Sequence, residues 1–501
     1  MTSAAEDPRT TPTGADAGDS AGQTASPAPG GGEDAVAAGP YASGHVPPAE
    51  LAVLTADLHR FGLAEVARMA TVWWIFVSVL VVEVFRKLVR IGPPGRRSWA
   101  DVLAVWVRRC FEQLGPNFIK LGQVIASAPG LFPQTLSNEC LKLLDAVPPV
   151  PLDAIKATIE EDLGRPIEDL VESWDEVPMS AASIAQVHAC VLRDGRHAVV
   201  KVQRPHLQAD IERDLRIQYR LARLVDRFEK AKKLNLPVMI ADLNRSLHEE
   251  LNFLLEATNM ASFRTNIGYY GDNRCVTCPD VYWDLCARRV LCMERLYGFP
   301  LDDFDKIRER HVDGVMIMRR GVKVWMEAAC VHGLFHGDVH AGNLMVLDDG
   351  RAAYLDFGIC GRLEERYRAA FRDMFKTYVI DRDWVRLVRA MQSIGMMPPD
   401  LPDIEAAAGT VAMFITPFLD KPIGELSLGE MLQEQLNLAD QFGMVGDPAL
   451  ALMGKQFLYF ERYVKVLAPN WSMMTDPFLF KNLWPEEIAA KCAADGIELP
   501  D

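Results

Sequence analysis

Residues 335–356 read FHGDVHAGNLMVLDDGRAAYLD, and Phe357-Gly358 follow. Two apolar runs of strand length, LMVL and AAYL, flank DDGR, whose Asp349-Gly350 is a two-strand turn signal. Closing that hairpin brings Asn343 and Asp356 to its open end, with Asp338 one loop upstream. An amide oxygen beside a carboxylate suits a hard, oxygen-seeking cation such as Mg²⁺. A second carboxylate nearby can orient or deprotonate a hydroxyl. Residue types in this order are those of phosphoryl transfer.

Such chemistry needs a nucleotide cradle, and Val177–Pro205, VPMSAASIAQVHACVLRDGRHAVVKVQRP, has the pattern of one. Two strand-like runs join at Asp194-Gly195. The small residues Ser180, Ala181, Ala182 and Ser183 precede the first, and Lys201 lies on the return strand. A tight loop over phosphates and a strand lysine pairing with them occur in this arrangement in kinase N-lobes. The lysine needs an acidic partner. Glu212 and Asp214 sit on the helix that follows, and Glu249, Glu250 and Glu256 on the next, read as one helix over residues 241–263. Val290–Gly298, VLCMERLYG, reads as a strand running into a linker, with the backbone of Met293, Glu294 and Leu296 as an adenine-binding hinge. Lys120 and Gln123 stand at i and i+3 on a predicted helix and share a face. His336 and His340 have the spacing of metal ligands, but a zinc site made with Asp338 would consume the candidate base.

The whole chain has 501 residues, a net charge of −15 and a pI near 5.2, which argues against nucleic acid as the main partner. Residues 1–47 are acidic and rich in Ala, Gly, Pro, Ser and Thr, and read as a disordered tail with neither signal-peptide nor transit-peptide character. The ten cysteines read as reduced thiols. Cys275, Cys278, Cys286 and Cys292 lack the second close CxxC pair of a zinc ribbon, and are better read as small buried residues. Met69–Val82, MATVWWIFVSVLVV, is the most apolar stretch, and Arg86, Lys87, Arg90, Arg96, Arg97, Arg108 and Arg109 follow. Fourteen helical residues cover about 21 Å against about 30 Å of hydrocarbon. The expectation is a short insertion into an anionic membrane surface rather than a lone span.

Four separated motifs, from roughly residue 115 to 476, resemble those of the ADCK/UbiB (AarF-like) atypical protein-kinase-like family. LGPNFIKLGQ carries the KxGQ signature at Lys120 and Gln123. PMSAASIAQVH looks like the Ala-rich nucleotide loop, with Ser180 in the first Ala position. ELNFLLEA resembles the ExD stretch with Glu250 in place and Asn252 where the family has Asp. HGDVHAGN and DFG match the catalytic and metal loops, with Val339 and Ala341 at positions where Pro is usual.

The resemblance implies an α+β, two-lobed protein-kinase-like fold with an N-terminal helical KxGQ extension. Its implied parts are membrane-contacting helices over 48–114, the extension over 115–177, an N-lobe over 178–295, a C-lobe over 296–480 and a tail over 481–501. It implies Lys201 paired with Glu256, Lys120 paired with Glu250, Asp338 as base, and Asn343 and Asp356 holding Mg²⁺ on ATP. It further implies an ATP-dependent kinase or ATPase, cytoplasmic and peripherally membrane-associated, with isoprenoid lipids or quinone-synthesis enzymes as partners. Two alternatives stand beside it: a small-molecule phosphotransferase, and a nucleotide-binding pseudokinase-like scaffold for lipid enzymes.

Overall fold

The computed structural model describes residue 41, residues 44–89, 98–126, 132–143 and 149–228, residue 232, residues 234–419 and 421–425, residue 427, and residues 448–500. Most of the predicted acidic tail, and Arg90, Arg96 and Arg97 of the basic stretch, lie outside the described residues.

Three apolar clusters organise the chain. After α1 (Pro48–Leu51), the first belongs to an N-terminal group of helices: α2 (Leu63–Leu88), α3 (Trp99–Leu114), α4 (Pro116–Ala126) and α5 (Gln134–Cys140). Val72 and Val79 of α2 pack there with Phe111, Phe118 and Cys140. Helix α2 is 26 residues long, well beyond the apolar run itself. The expectation of about 21 Å is therefore corrected: at about 1.5 Å per residue α2 reaches roughly 39 Å, and by length and composition it could cross a membrane. The polar ends extend it because they have partners. Arg68 bonds Asp214 at 2.8 Å, Arg216 bonds Glu65 at 3.0 Å, and Glu83 is held by Arg86 and Arg109. Trp106 Nε1 donates to Phe76 O at 2.7 Å. One face of α2 thus packs on protein, while Trp73 and Trp74, each 65% exposed, lie on the other with Val81 and Phe85.

The second cluster is the N-lobe. Helices α6 (Leu152–Leu163) and α7 (Ile167–Leu170) precede β1 (Val171–Trp174), β2 (Ser180–Ala181), β3 (Ala185–Leu192) and β4 (His197–Gln203). Then come α8 (Leu207–Val225), α9 (Leu236–Glu250), α10 (Phe253–Gly268), β5 (Val276–Thr277) and β6 (Val290–Glu294). The antiparallel sheet runs β1-β3-β4-β6, with β2 paired to β3. Alternation along β4 sends Ala198, Val200 and Val202 into the core with Ile155 and Ile159 of α6. Lys201 therefore points to the opposite face.

The third cluster fills the C-lobe and takes in the buried faces of α8, α9 and α10. In the C-lobe, β7 (Gly298–Pro300), α11 (Phe304–Glu309), α12 (Gly314–Glu327), β8 (Leu334–His336), β9 (Leu344–Leu347), β10 (Ala352–Tyr354) and β11 (Cys360–Arg362) frame the loops of the candidate site. The order β5-β10-β9-β7 makes one small sheet and β11-β8 another. Helices α13 (Glu365–Lys376), α14 (Trp384–Ser393), α15 (Ile404–Leu419), α16 (Pro448–Leu467) and α17 (Pro485–Asp495) complete the chain. The C-terminal tail read over 481–501 carries α17, which buries Ile488 and Cys492.

The expected single helix over 241–263 is two. Leu251 ends α9, and Asn252 adopts extended φ/ψ as the N-cap of α10, its side chain accepting from Leu255 N at 3.4 Å. A side chain that bonds its own following backbone competes with helix continuation, which is why Asn breaks the run here. Cys278, Cys286 and Cys292 are buried.

Candidate active site

Lys201 leaves β4 toward the first turn of α10, where Glu256 is 3% exposed. Its Nζ lies 2.9 and 3.0 Å from the two Glu256 oxygens and 3.3 Å from Asp356 Oδ2. The other acids considered for Lys201 are engaged elsewhere: Asp214 with Arg68, Glu212 with Arg216 at 2.8 Å, Glu250 with Lys120, and Glu249 beside Arg245 at 3.8 Å. One ammonium thus serves two carboxylates, and they separate in acidity. Burial pushes the Glu256 carboxyl up to about 7 although Lys201 opposes it, with Asp356 and Glu250 adding to the rise. Burial also works against ionised Asp356, but Lys201 and the Gly358 N–H outweigh it and hold this carboxyl at about 2.

Asp356 sits at φ +52, in the left-handed region that non-glycine residues seldom occupy. That turn aims its carboxylate back at Lys201 and lets Oδ1 accept from Gly358 N at 3.2 Å. The hairpin read from DDGR is present, with Gly350 at φ +85 and Leu355 N donating to Asn343 O at 2.8 Å. Asn343 is nearly buried, and its Nδ2 donates to Asp338 O at 3.0 Å, which leaves Oδ1 as its acceptor. Asn343 Oδ1 and an ionised Asp356 are the donor set that a hard divalent cation takes.

His336 is fully buried. Its Nε2 donates to Leu355 O at 2.7 Å and its Nδ1 accepts from Asp338 N at 3.1 Å, so the ring braces the loop as a neutral tautomer. Burial holds it below the ordinary histidine value against the pull of Leu355 O.

The nucleotide loop is a tight reversal in which Ser180 pairs with Val187, Ala181 with Gln186, and Ala182 N donates to Ala185 O at 2.9 Å; Ser183 is buried. Met293 and Glu294 end β6, and Leu296 lies in the linker to β7. Glu294 N donates to Asp280 O at 2.8 Å, so an adenine contact at Glu294 would come through its carbonyl.

Helix α4 presents the KxGQ residues. Lys120 Nζ lies 2.8 Å from Glu250 Oε1, and Gln123 is half-buried one turn on. Gly122 has a steric reason: a Cβ there would meet Leu143 Cδ1 at 2.2 Å and Phe111 Cδ2 at 3.0 Å, so only glycine seats α4 against α3. Glu250 in turn stands beside Gly358, whose Cβ would come 4.0 Å from Glu250 Cγ. The Lys120–Glu250 pair therefore abuts the Asp356 loop. Asn252 does not join these groups. It is buried, caps α10, and donates from Nδ2 to Glu50 O at 2.8 Å, tying α1 to the N-lobe.

Two neighbours of Asp338 were absent from the sequence reading. Lys455 Nζ of α16 lies 3.1 Å from Asp338 Oδ1. The adjacent Gln456, fully buried, accepts from Val339 N at 2.9 Å and donates to Gly337 O at 2.6 Å. The apolar face of this helix reads from sequence only as C-lobe core. An adjacent Lys-Gln pair beside such a face is the available signal, and it does not say which loop they meet.

Comparison with known proteins accounts for the order of these parts. Residues 142–391 match the ABC1 atypical kinase-like domain and residues 411–472 the UbiB helical domain. A protein named probable protein kinase UbiB, from Aeromonas salmonicida, is 33% identical over 402 residues, covering 78% of this chain and 72% of the relative. The chain belongs to the UbiB/aarF family of atypical kinase-like proteins. An Arabidopsis thaliana relative, named as a chloroplastic aarF domain-containing protein kinase, is 34% identical over 77% of this chain and 76% of its own. The Mycobacterium tuberculosis protein Rv0647c is 37% identical over 428 residues, 85% of this chain and 86% of that one. The fold is accordingly the two-lobed kinase-like one with an N-terminal helical extension, and α16 falls within the UbiB helical region.

Proposed function

We propose that this UbiB-family chain is an ATP-dependent atypical kinase or ATPase that uses Mg²⁺ and works at the cytoplasmic surface of a membrane in support of isoprenoid quinone or related lipid metabolism. The observation that carries the catalytic part is the single ammonium of Lys201 held between the Glu256 and Asp356 carboxylates, 2.9 Å and 3.3 Å away. In this reading Lys201 clamps the nucleotide phosphates and Glu256 fixes its rotamer. Backbone N–H groups of 180–183, other than that of Ala182, which bonds Ala185 O, approach the phosphates. Asn343 and Asp356 hold the metal, which supplies charge neutralisation across the transferring group. Asp338 takes the proton of the attacking hydroxyl or water. The membrane part rests on α2, where Trp73, Trp74 and Phe85 are exposed on a helix whose other face packs on protein. The lipid-metabolic part rests on the family resemblance.

The test is Mg²⁺-dependent ATP hydrolysis by the whole chain, with and without vesicles containing an anionic lipid, beside Asp356→Asn. Asn tolerates the left-handed φ, so this variant folds. The expected result is turnover stimulated by vesicles and reduced on the order of 10²-fold or more in the variant. A wild-type chain that binds nucleotide yet turns none over on any vesicle overturns the catalytic reading.

A further inference from the structure

Helix α16 is clamped onto the loop that carries Asp338. Gln456 bonds the backbone on both sides of that residue, at Gly337 O and Val339 N. One turn earlier, Leu452 presses on Gly337: a Cβ there would meet Leu452 Cδ2 at 3.1 Å, Ile359 O at 3.1 Å and Ile359 Cγ2 at 3.0 Å. Glycine at 337 is thus what lets the helix approach, and the approach fixes Lys455. Its side chain runs past the Tyr459 ring, and its ammonium, with three donors, gives Asp338 Oδ1 one of them.

The loop itself offers little positive charge there. His340 Nε2 is 3.5 Å from Asp338 Oδ2, while its Nδ1 accepts from Gly342 N at 3.1 Å. With Nδ1 as the acceptor, Nε2 is the ring nitrogen that faces Asp338. Lys201 is committed to Glu256 and Asp356 on the far side of the site. In phosphoryl transfer the negative charge on the equatorial oxygens is stabilised by cations, and a cation on the acceptor side is worth orders of magnitude in rate.

We propose that Lys455 is a catalytic residue that contacts the transferring phosphoryl group while orienting Asp338. The proposal rests on the phosphoryl-transfer reading above. In the step, the acceptor oxygen forms a bond to the γ-phosphorus and its proton passes to Asp338. The bond from that phosphorus to the β–γ bridging oxygen breaks, and ADP leaves with the electron pair. The site is then completed by α16, which lies outside the kinase-like match at 142–391.

The experiment compares the wild-type chain with Lys455→Met, Lys455→Arg and Asp356→Asn. It measures affinity for Mg-ADP and for a Mg-bound non-hydrolysable ATP analogue, then turnover of ATP. Lys455 is partly exposed, so the methionine variant keeps its fold, and unchanged Mg-ADP affinity verifies this. The expected result for Lys455→Met is a loss of about tenfold in the preference for the γ-phosphate-bearing analogue, with kcat lowered about 10²-fold or more. Arginine restores part of both. An analogue preference within about twofold of wild type refutes the assignment and leaves Lys455 a mere ion-pair partner of Asp338. If the wild type itself never turns over ATP, the catalytic reading fails, and the two affinities still decide whether Lys455 meets the γ-phosphate.

Discussion

Asn252→Asp puts a carboxylate at the start of α10, and the structure says it should destabilise this chain. Asp caps a helix as well as Asn, so the bond from Leu255 N is retained and capping cancels. What changes is the other end of the side chain. Nδ2 now donates to Glu50 O at 2.8 Å, and Asp would put a second acceptor there, with no solvent exposure to relieve it. The lost hydrogen bond costs about 1 kcal/mol and the unpaired buried carboxylate roughly 1–3 more, giving about 2–4 kcal/mol. At about 2 °C per kcal/mol for a large domain, the melting temperature falls by roughly 4–8 °C. The loss has a pH signature. Burial beside a carbonyl raises the folded-state pKa of the new carboxyl above its unfolded value near 3.9. A raised acid binds its proton more tightly when folded, so stability returns as pH falls through that pKa, when the protonated group can again donate to Glu50 O. Melting of both proteins at pH 5 and pH 8, with Asn252→Ala as a control that loses cap and donor together, reads this directly. The alanine variant should be destabilised equally at both values relative to wild type. An aspartate variant that melts with wild type at pH 8, or whose deficit ignores pH, refutes the reasoning.

Glu256 titrates on the same principle. Its folded pKa of about 7 exceeds the ordinary glutamate value of 4.5, so its contribution is present below 4.5 and is lost as pH rises through about 7. Glu256→Gln should flatten the fall in melting temperature between pH 5 and 7.5, and an unchanged slope would sink the assignment. On α2, the double substitution Trp73→Ala/Trp74→Ala removes two rings that are each 65% exposed. It should leave the melting temperature nearly unchanged while lowering flotation with anionic vesicles by about tenfold or more. Flotation equal to wild type means the apolar face does not meet lipid.

What could be read from residue order, and what could not, does not divide by distance along the chain. Lys201 and Glu256 are 55 residues apart, yet their pairing was legible, because the resemblance to a known family sets both in named motifs. Lys120 with Glu250 was legible in the same way, through two named motifs. Lys455 is 117 residues from Asp338 and was not, because a lysine on an apolar-faced helix carries no mark of where it points. The register of α16 against the loop depends on Gly337 being small enough to admit Leu452, a packing fact that no periodicity encodes. The break at Asn252 shares that cause. Its cap bond from Leu255 N is local, but its Nδ2 is held by Glu50 O, 202 residues away. The length of α2 was underestimated for a related reason. Charged residues look like helix ends until Asp214, Arg216 and Arg109 are seen holding them from other helices. In each case the missing information is the tertiary partner of a polar side chain, while apolar pattern and turn chemistry were read from the chain alone. A polar pair beside the apolar face of a helix, as at Lys455-Gln456, is therefore where an unread loop contact is to be sought.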